Sequence, residues 1–520
     1  MSDAARANAG PGRAEPIRRI VIVGGGTAGW MAAAAFSKQL ADLPTTITLV
    51  ESDDIGTVGV GEATIPAIHA FNAMLGIDQA EFMRFCNGTF KLGIEFVDWG
   101  RLGSSYIHPF TSFGRDFRHL SFYQMWLKYS RLMAVRGGTA LPFDNYNVCA
   151  VAAYKRRFAH PEAGAGGPVA PLRYAFHFDA SRYAKYLRGF AEKRGVTRVE
   201  GKITDVQQDS RTGFITSVQL QDGQVVPGDL FIDCSGFRGL LIEQTLHSGY
   251  EEWTHWLPCN RAVAVPSETV EPPAPYTRST ADAAGWRWRI PLQNRVGNGY
   301  VYSSDFITDD LAQEQILRTI DGEPLAEPRR LSFVTGKRRQ FWNRNCVAIG
   351  LASGFLEPLE STSIHLIQTA ILKLLAFFPD SDFSPADRDA YNRHTSDEYD
   401  FIRDFIILHY KATERGDTPF WRQCRDMDVP DTLAAKMDLF RSRGRMLISN
   451  DDLFKTPSWE VVMDGQGLSP RSYDPIVDTI PDDDLVAEVE TAYRDIQSAV
   501  QRLPSHQDYI ARFCRAEVQA

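Results

Sequence analysis

The segment from Arg19 to Glu51 leaves this chain little choice of fold. A β-branched run, Arg19 to Val23, ends in GGGTAGW, in which Gly24, Gly26 and Gly29 form GxGxxG around Thr27 and Ala28. A helical pattern follows from Trp30 to Leu40. A second strand pattern, Thr46 to Val50, then ends at Glu51, 22 residues after Gly29. Glycines at this spacing let a backbone approach a pyrophosphate at a helix N-terminus, and the acid accepts hydrogen bonds from ribose hydroxyls. GxGxxG alone carries little weight. Set within strand, turn, helix, strand and acid, it predicts a dinucleotide site in a Rossmann-type α/β fold.

Two later segments favour FAD over NAD. Asp229 to Gly236, DLFIDCSG, is a hydrophobic strand ending in a small-residue turn. It resembles the strand that closes the FAD site in hydroxylase-like flavoproteins. Asn345 to Pro358, NCVAIGLASGFLEP, resembles their later segment near the flavin ring, with Gly350-Leu351 where the family's common Gly-Asp stands. One nucleotide fold spread over three separated segments follows. A Gly-rich loop, VGVGEATIP from Val58 to Pro66, suits close contact with a cofactor and contains Ala63.

The stretch from Ile349 to Phe378 runs from a short strand, through a Gly/Pro/Ser loop, into a helix. Its apolar positions Ile364, Ile367, Ile371, Leu374 and Phe378 recur at helical spacing. Ser361, Thr362 and Ser363 are expected to cap it. A helix mouth carries unpaired N–H groups and partial positive charge, which suits an anion. Glu360, one residue before that mouth, is an odd neighbour for an anion unless its carboxylate has its own role.

Thr89 to Val97, TFKLGIEFV, alternates as a single strand with Phe90, Leu92, Ile94 and Phe96 on one side. That spacing alone makes Lys91 a solvent-facing lysine. In a closed pocket the same lysine would change its protonation state and do chemistry. Residues 100 to 165 are aromatic-rich and irregular, with Tyr106, His108, Phe110 and Phe113, and read as an insertion lining an aromatic pocket or a satellite core. Arg198 to Leu230 reads as a β meander. Ala264 to Tyr276 is a Pro-rich surface connection. Gly285 to Pro291, GWRWRIP, reads as an edge strand with Trp286 and Trp288 buried on one face. Beyond Phe378 the pattern is helical, including an amphipathic helix from Asp484 to Leu503.

Composition removes several function classes. Lys plus Arg number 56 against 65 Asp plus Glu, a net charge of −9, which disfavours nucleic acid as a partner. No apolar run reaches membrane-spanning length, since Ile364 to Phe378 is too short and holds His365 and Lys373. Residues 1–17 read as a disordered leader without the apolar core of a signal peptide. Seven dispersed cysteines with no CxxC pair fit reduced thiols in a cytoplasmic enzyme and no metal site.

GxGxxG at Gly24, Lys91 in TFK, GWRWRIP and EPLESTS stand in one order that resembles the flavin-dependent tryptophan halogenases, from about Arg18 to Gly467. The resemblance implies a discontinuous FAD-binding unit over 18–378, with insertions at about 100–165 and 250–330. A helical region, 379–520, would cover the substrate. It implies FADH2 supplied by a separate flavin reductase, and halide oxidised to hypohalous acid that halogenates an electron-rich aromatic. By the same resemblance, Lys91 activates the oxidant, and Glu360 orients it and takes the ring proton. Thr362 and Ser363 hold halide, and Trp286 and Trp288 keep substrate from the flavin. Ile203, Ala63, Leu351 and Ile364 join Gly24, Gly26, Thr27, Ala28, Gly29 and Glu51 around FAD. His108, Phe110 and Trp459 are expected to stack on the substrate ring. Ser363 replaces the glycine of tryptophan-specific members, and the paired tyrosines and acid for free tryptophan are not found near Trp459. Indoles, with bromide or chloride, are therefore expected ahead of free tryptophan, in a monomer or homodimer. The rival readings are a flavin monooxygenase on the same scaffold and a non-catalytic FAD-binding protein.

Overall fold

The structure is a computed structural model that describes residues 15–55, 61–117, 120–161 and 169–517. Residues 1–14 of the expected leader and the start of the Val58–Pro66 loop lie outside the described residues. Arg19–Val23 pairs in parallel with Thr46–Glu51 on one side and Leu230–Asp233 on the other. Thr197–Glu200 and Cys346–Ala348 extend the sheet, and Trp342–Asn343 adds an antiparallel edge. The three distant segments that the sequence predicts thus meet in one nucleotide sheet, and Thr197–Glu200 joins it as a fourth. Its central strand is buried throughout from Ile20 to Val23, as a parallel sheet covered on both faces requires. The helix Thr27–Gln39 lies against it, and its run Ala32 to Ala35 is fully buried. Ala180–Glu192 and Ser363–Ala376 pack beside that helix.

A seven-stranded sheet forms the second layer, in the order Arg329–Ser332, Arg261–Ser267, Val296–Tyr302, Gly285–Pro291, Thr277–Asp282, Gly93–Val97, Ser105–Pro109. Gly285–Pro291 is therefore interior, not an edge strand. The two indoles are buried as expected, but both edges of the strand pair with a neighbouring strand. Ala264 to Ser267 also belongs to this sheet. Only the chain beyond Ser267 makes the connection; it is exposed from Glu268 to Val270 and at Pro272, as expected, and then buries Ala274 and Tyr276.

The alternation across Thr89 to Val97 conceals two strands. Thr89–Lys91 joins a three-stranded sheet with Ala175–Asp179 and Gly61–Ala63, while Gly93–Val97 joins the seven-stranded one. Leu92 is the crossing point, its N–H donating to the carbonyl of Pro275. Both faces of this stretch are buried. A period of two reports which side chains alternate, not what covers them.

Residues 100–165 are more regular than expected, with strand Ser105–Pro109 and helices Phe122–Val135 and Val148–Tyr154. Ile203–Gln208, Ile215–Leu220 and Val225–Pro227 form the expected antiparallel meander, but Thr197–Glu200 leaves it for the nucleotide sheet. Beyond Phe355 no strand occurs among the described residues, and helices Pro385–Lys411 through His506–Phe513 follow. Asp482–Gln501 buries Leu485, Val489, Ile496 and Val500 against the 122–154 helices. All seven cysteines are free and buried.

The Gly-rich turn is built by close backbone approach. Gly24 has φ of +110°, and a Cβ on it would sit 2.3 Å from the carbonyl oxygen of Cys234. A Cβ on Gly29 would sit 1.8 Å from the carbonyl oxygen of Gly24, and neither backbone group can swing aside. Gly29→Val is therefore expected to lower FAD affinity by about tenfold or more, measured by titrating the quenching of FAD fluorescence. Unchanged affinity would place the cofactor elsewhere.

Candidate active site

The loop between Ile349 and Ser363 carries Glu357, Glu360 and Ser361 and runs against its own backbone preferences. Glu357, Glu360 and Ser361 have φ of 81°, 64° and 59°. Left-handed backbone costs a side-chain-bearing residue about 1–2 kcal/mol. Three such residues within five persist only where their surroundings hold them.

Glu360 is fully buried between two histidines. His108 Nδ1 lies 2.8 Å from Oε2, and His409 Nε2 lies 2.9 Å from Oε1. The His108 contact is an aligned hydrogen bond. His409 approaches off-axis, as a close polar contact without hydrogen-bond alignment. His409 donates from Nδ1 to the carbonyl of Phe405 one helical turn earlier, which turns Nε2 toward Glu360. Burial pushes the Glu360 carboxyl upward, but the charge and hydrogen bond of His108, with His409, outweigh it and hold the group at about 2. It is a carboxylate at neutral pH.

Lys91 is buried, not solvent-facing as its spacing alone implies, because Thr89–Lys91 is covered on both faces of its own sheet. Its Nζ donates to Ser361 Oγ at 2.8 Å and stands 5.4 Å from the centre of the Phe110 ring. Burial lowers the ammonium from 10.5 to about 7, opposed by the Glu360 charge. The chain thus brings Lys91, Glu360 and the His108–Phe110 pair together from three separate segments.

The expected side-chain cap does not form. Thr362 occupies the N-cap without a capping hydrogen bond, and the Ser361 hydroxyl serves Lys91 instead. Trp286 and Trp288 share a sheet face with His108. Register places Tyr106, Phe96, Ser279, Trp288 and Gly299 in one row, and His108, Ile94 and Thr277 in the next. Trp459 is enclosed by the chain itself. It donates to the carbonyl of Phe454, meets Phe405 edge-on at 4.9 Å, and lies 4.4 Å under the Lys436 ammonium. Two members of the site escaped sequence reasoning. Glu357 was legible only as a second acid in the EPLES loop, and His409 only as the histidine of LHYK.

At the nucleotide turn, Glu51 Oε2 lies where a Cβ on Gly25 would fall, at 1.3 Å, so the acid sits over the Gly-rich turn. Arg198 donates to its other oxygen. A Cβ on Gly350 would come within 2.7 Å of Ala28 Cβ, which sets Leu351 beside the start of the first helix. Ile364 is buried in the first turn of its own helix, and Ala63 in its short strand. Ile203 pairs with Leu220 at the start of the meander. A turn that only glycine fits, with an acid above it, matches the demands of a dinucleotide.

Fold and site together define a Rossmann-type flavoprotein with a second, buried lysine–glutamate centre. A family model for tryptophan halogenases matches residues 19–482. The chain is 37% identical to tryptophan 7-halogenase RebH of Lentzea aerocolonigenes, over 95% of this chain and 98% of that one. It is 36% identical to tryptophan 6-halogenase ThaL of Streptomyces albogriseolus over the same shares. Xcc4156, a flavin-dependent halogenase from Xanthomonas campestris, superposes with a TM-score of 0.93 at 47% identity, over 97% of this chain and all of that one. BrvH, a flavin-dependent halogenase from Brevundimonas sp. BAL3, gives 0.91 at 45% identity, over 95% and 99%. The chain belongs to the tryptophan halogenase family. It is an FADH2-dependent halogenase that consumes halide and receives its reduced flavin from a separate reductase. The relatives do not favour the monooxygenase or the non-catalytic reading.

Lys91 gives a pH signature. Between about pH 7 and 10.5 the unfolded chain carries a proton there that the folded chain has shed, so rising pH favours folding. Lys91→Met, with Glu360 still held by His108 and His409, is expected to melt a few degrees above the wild type near pH 7. The margin should close as the pH nears 10. A margin independent of pH in thermal melts would contradict the buried lysine.

Proposed function

We propose that this halogenase acts on an indole or a similar electron-rich aromatic, and that the Lys91–Glu360 centre delivers the halogen. The observation that carries this reading is the burial of both groups beside Ser361, with the lysine near 7 and the glutamate ionised. FAD would be held by Gly24, Gly26, Thr27, Ala28, Gly29 and Glu51, with Ala63, Ile203, Leu351 and Ile364 completing its surroundings. When bound and reduced, it supplies with dioxygen the oxidising power that turns halide into hypohalous acid.

The chain's own residues then do the positioning. A lysine poised near neutrality holds hypohalous acid by a hydrogen bond or as a haloamine. Glu360, already a carboxylate, accepts the ring proton after the halogen adds. Orientation of this kind is worth several kcal/mol, and an electron-rich ring needs no other activation. Thr362 and Ser363 present backbone N–H groups to halide, and the extra side chain at Ser363 is consistent with bromide as well as chloride. Trp286 and Trp288, buried in the sheet, separate substrate from flavin. His108 and Phe110 border the reacting ring, and Trp459 backs that wall. We place the substrate cover in 379–520, the FAD unit in 18–378, and the reaction in the cytoplasm. No helix among the described residues is long and apolar enough to cross a membrane.

Lys91→Ala is expected to cut halogenated product by about 100-fold or more, with FAD affinity within about twofold of wild type. Retained halogenation, or loss of FAD binding in the same variant, would remove Lys91 from this role. Product formation from NADH and FAD is expected to require an added reductase.

A further inference from the structure

Glu357 has no part in the roles above, yet it is the most constrained acid in the loop. It is fully buried, its φ is 81°, and no cation pairs with it among the described residues. Oε2 accepts two hydrogen bonds, from Trp286 Nε1 at 3.1 Å and from the Tyr410 hydroxyl at 2.7 Å. Oε1 has no hydrogen-bond partner among the described residues. Burial raises the carboxyl to about 7 against the pull of both donors. Left-handed backbone and a half-satisfied buried acid are both costly, by about 1–3 kcal/mol each. A residue kept there at that cost holds something in place.

The two tryptophans of GWRWRIP show what it holds. Trp288 is seated by shape. Its ring lies on its cross-strand neighbour Gly299, where a Cβ would come within 2.0 Å of it, and its Nε1 is unpartnered. Trp286 faces only Ala281 and Val301 across the strands. It packs at 6.1 Å against Trp99 and at 6.2 Å against Trp288, and among the described residues its indole N–H donates to Glu357 alone. Tyr410 follows His409 on the helix Pro385–Lys411. Consecutive residues of that helix therefore reach two glutamates of one loop, His409 to Glu360 and Tyr410 to Glu357.

We infer that Glu357 is a positioning residue, a buried carboxyl that clasps the Trp286 indole and the Tyr410 hydroxyl to the loop carrying Glu360 and Ser361. Barrier and delivery centre are thereby fixed relative to each other. The inference rests on the halogen-delivery reading of Lys91 and Glu360. Its role is to keep the oxidised halogen on course to the substrate ring, not to make it.

The test divides oxidised bromide between indole and monochlorodimedone, a trap for hypobromous acid that escapes into solution. Reactions use the full-length protein with FAD, a flavin reductase, NADH and bromide. Glu357→Gln keeps an acceptor oxygen for both donors and is expected to match the wild type. Glu357→Leu removes the acceptor. It is expected to shift the ratio of trap to indole product toward the trap by about tenfold, the equivalent of one lost buried hydrogen-bond pair. Total bromide oxidised and FAD affinity should stay within about twofold of wild type. Tyr410→Phe loses one donor and should fall between them, which keeps the test decisive if the leucine variant does not fold. An unchanged ratio in Glu357→Leu and Tyr410→Phe overturns the inference, as does a glutamine variant that leaks like the leucine one. A wild type that already sends its oxidised bromide to the trap rather than to indole overturns instead the delivery reading on which it rests.

Discussion

The arrangement on which the rest depends is a buried carboxylate kept ionised beside a buried lysine kept near neutrality. Taking either charge out of water costs several kcal/mol, and a protein normally avoids this by surface placement or by neutralising the group. Here the two groups resolve it differently. Glu360 keeps its charge because His108 donates to it from the adjacent sheet and His409 closes on its other oxygen from a helix. Among the described residues Lys91 has no carboxylate at hydrogen-bond distance, only the Ser361 hydroxyl, the face of the Phe110 ring and the more distant charge of Glu360, so desolvation prevails and its pKa falls. The result is a base and an amine available together at neutral pH, which surface groups of the same types cannot provide.

That centre is joined to the nucleotide site by one continuous segment. Cys346–Ala348 ends the parallel sheet, Gly350 brings the chain against Ala28 at the start of the first helix, and Glu360 follows after the strained turn at Glu357. Ser363–Ala376 then returns to pack against the first helix. Because the segment is pinned at the sheet and again at the helix, the loop between has little freedom. Its left-handed residues are the local expression of that constraint. Hypohalous acid attacks exposed thiols and thioethers indiscriminately, and a fixed loop with all seven cysteines buried suits a protein that handles it.

Much of this was legible in the sequence where chemistry demands a residue type at a spacing. GxGxxG followed by Glu51, DLFIDCSG and NCVAIG specified one parallel sheet from three segments, because each motif closes against the same turn. The helix after Glu360 was legible from its 3.6-residue period. What stayed hidden depended on tertiary cover. TFKLGIEFV alternates like one half-exposed strand, but period two cannot reveal a change of sheet at Leu92 or a second covered face. GWRWRIP resembled an edge strand because its arginines suggested solvent, whereas neighbouring strands pair with it on both sides and those arginines are satisfied by ion pairs at Asp282, Glu271 and Asp321. His409 and Glu357 carried no local signal beyond being a histidine in a helical run and a second acid in the loop. Their partners are 49 residues away at Glu360 (409 minus 360) and 71 residues away at Trp286 (357 minus 286), so only the fold brings them together.

The most direct test of the central claim is the mass of the product. Indole is incubated with the protein, FAD, a flavin reductase, NADH and an equal mixture of bromide and chloride, and the product is read by mass spectrometry. If Trp286 and Trp288 separate substrate from flavin as proposed, the buried lysine–carboxylate centre predicts an adduct bearing a halogen isotope pattern. An indole carrying one added oxygen and no halogen would contradict it, because oxygen transfer from flavin requires a direct contact that the proposed barrier excludes.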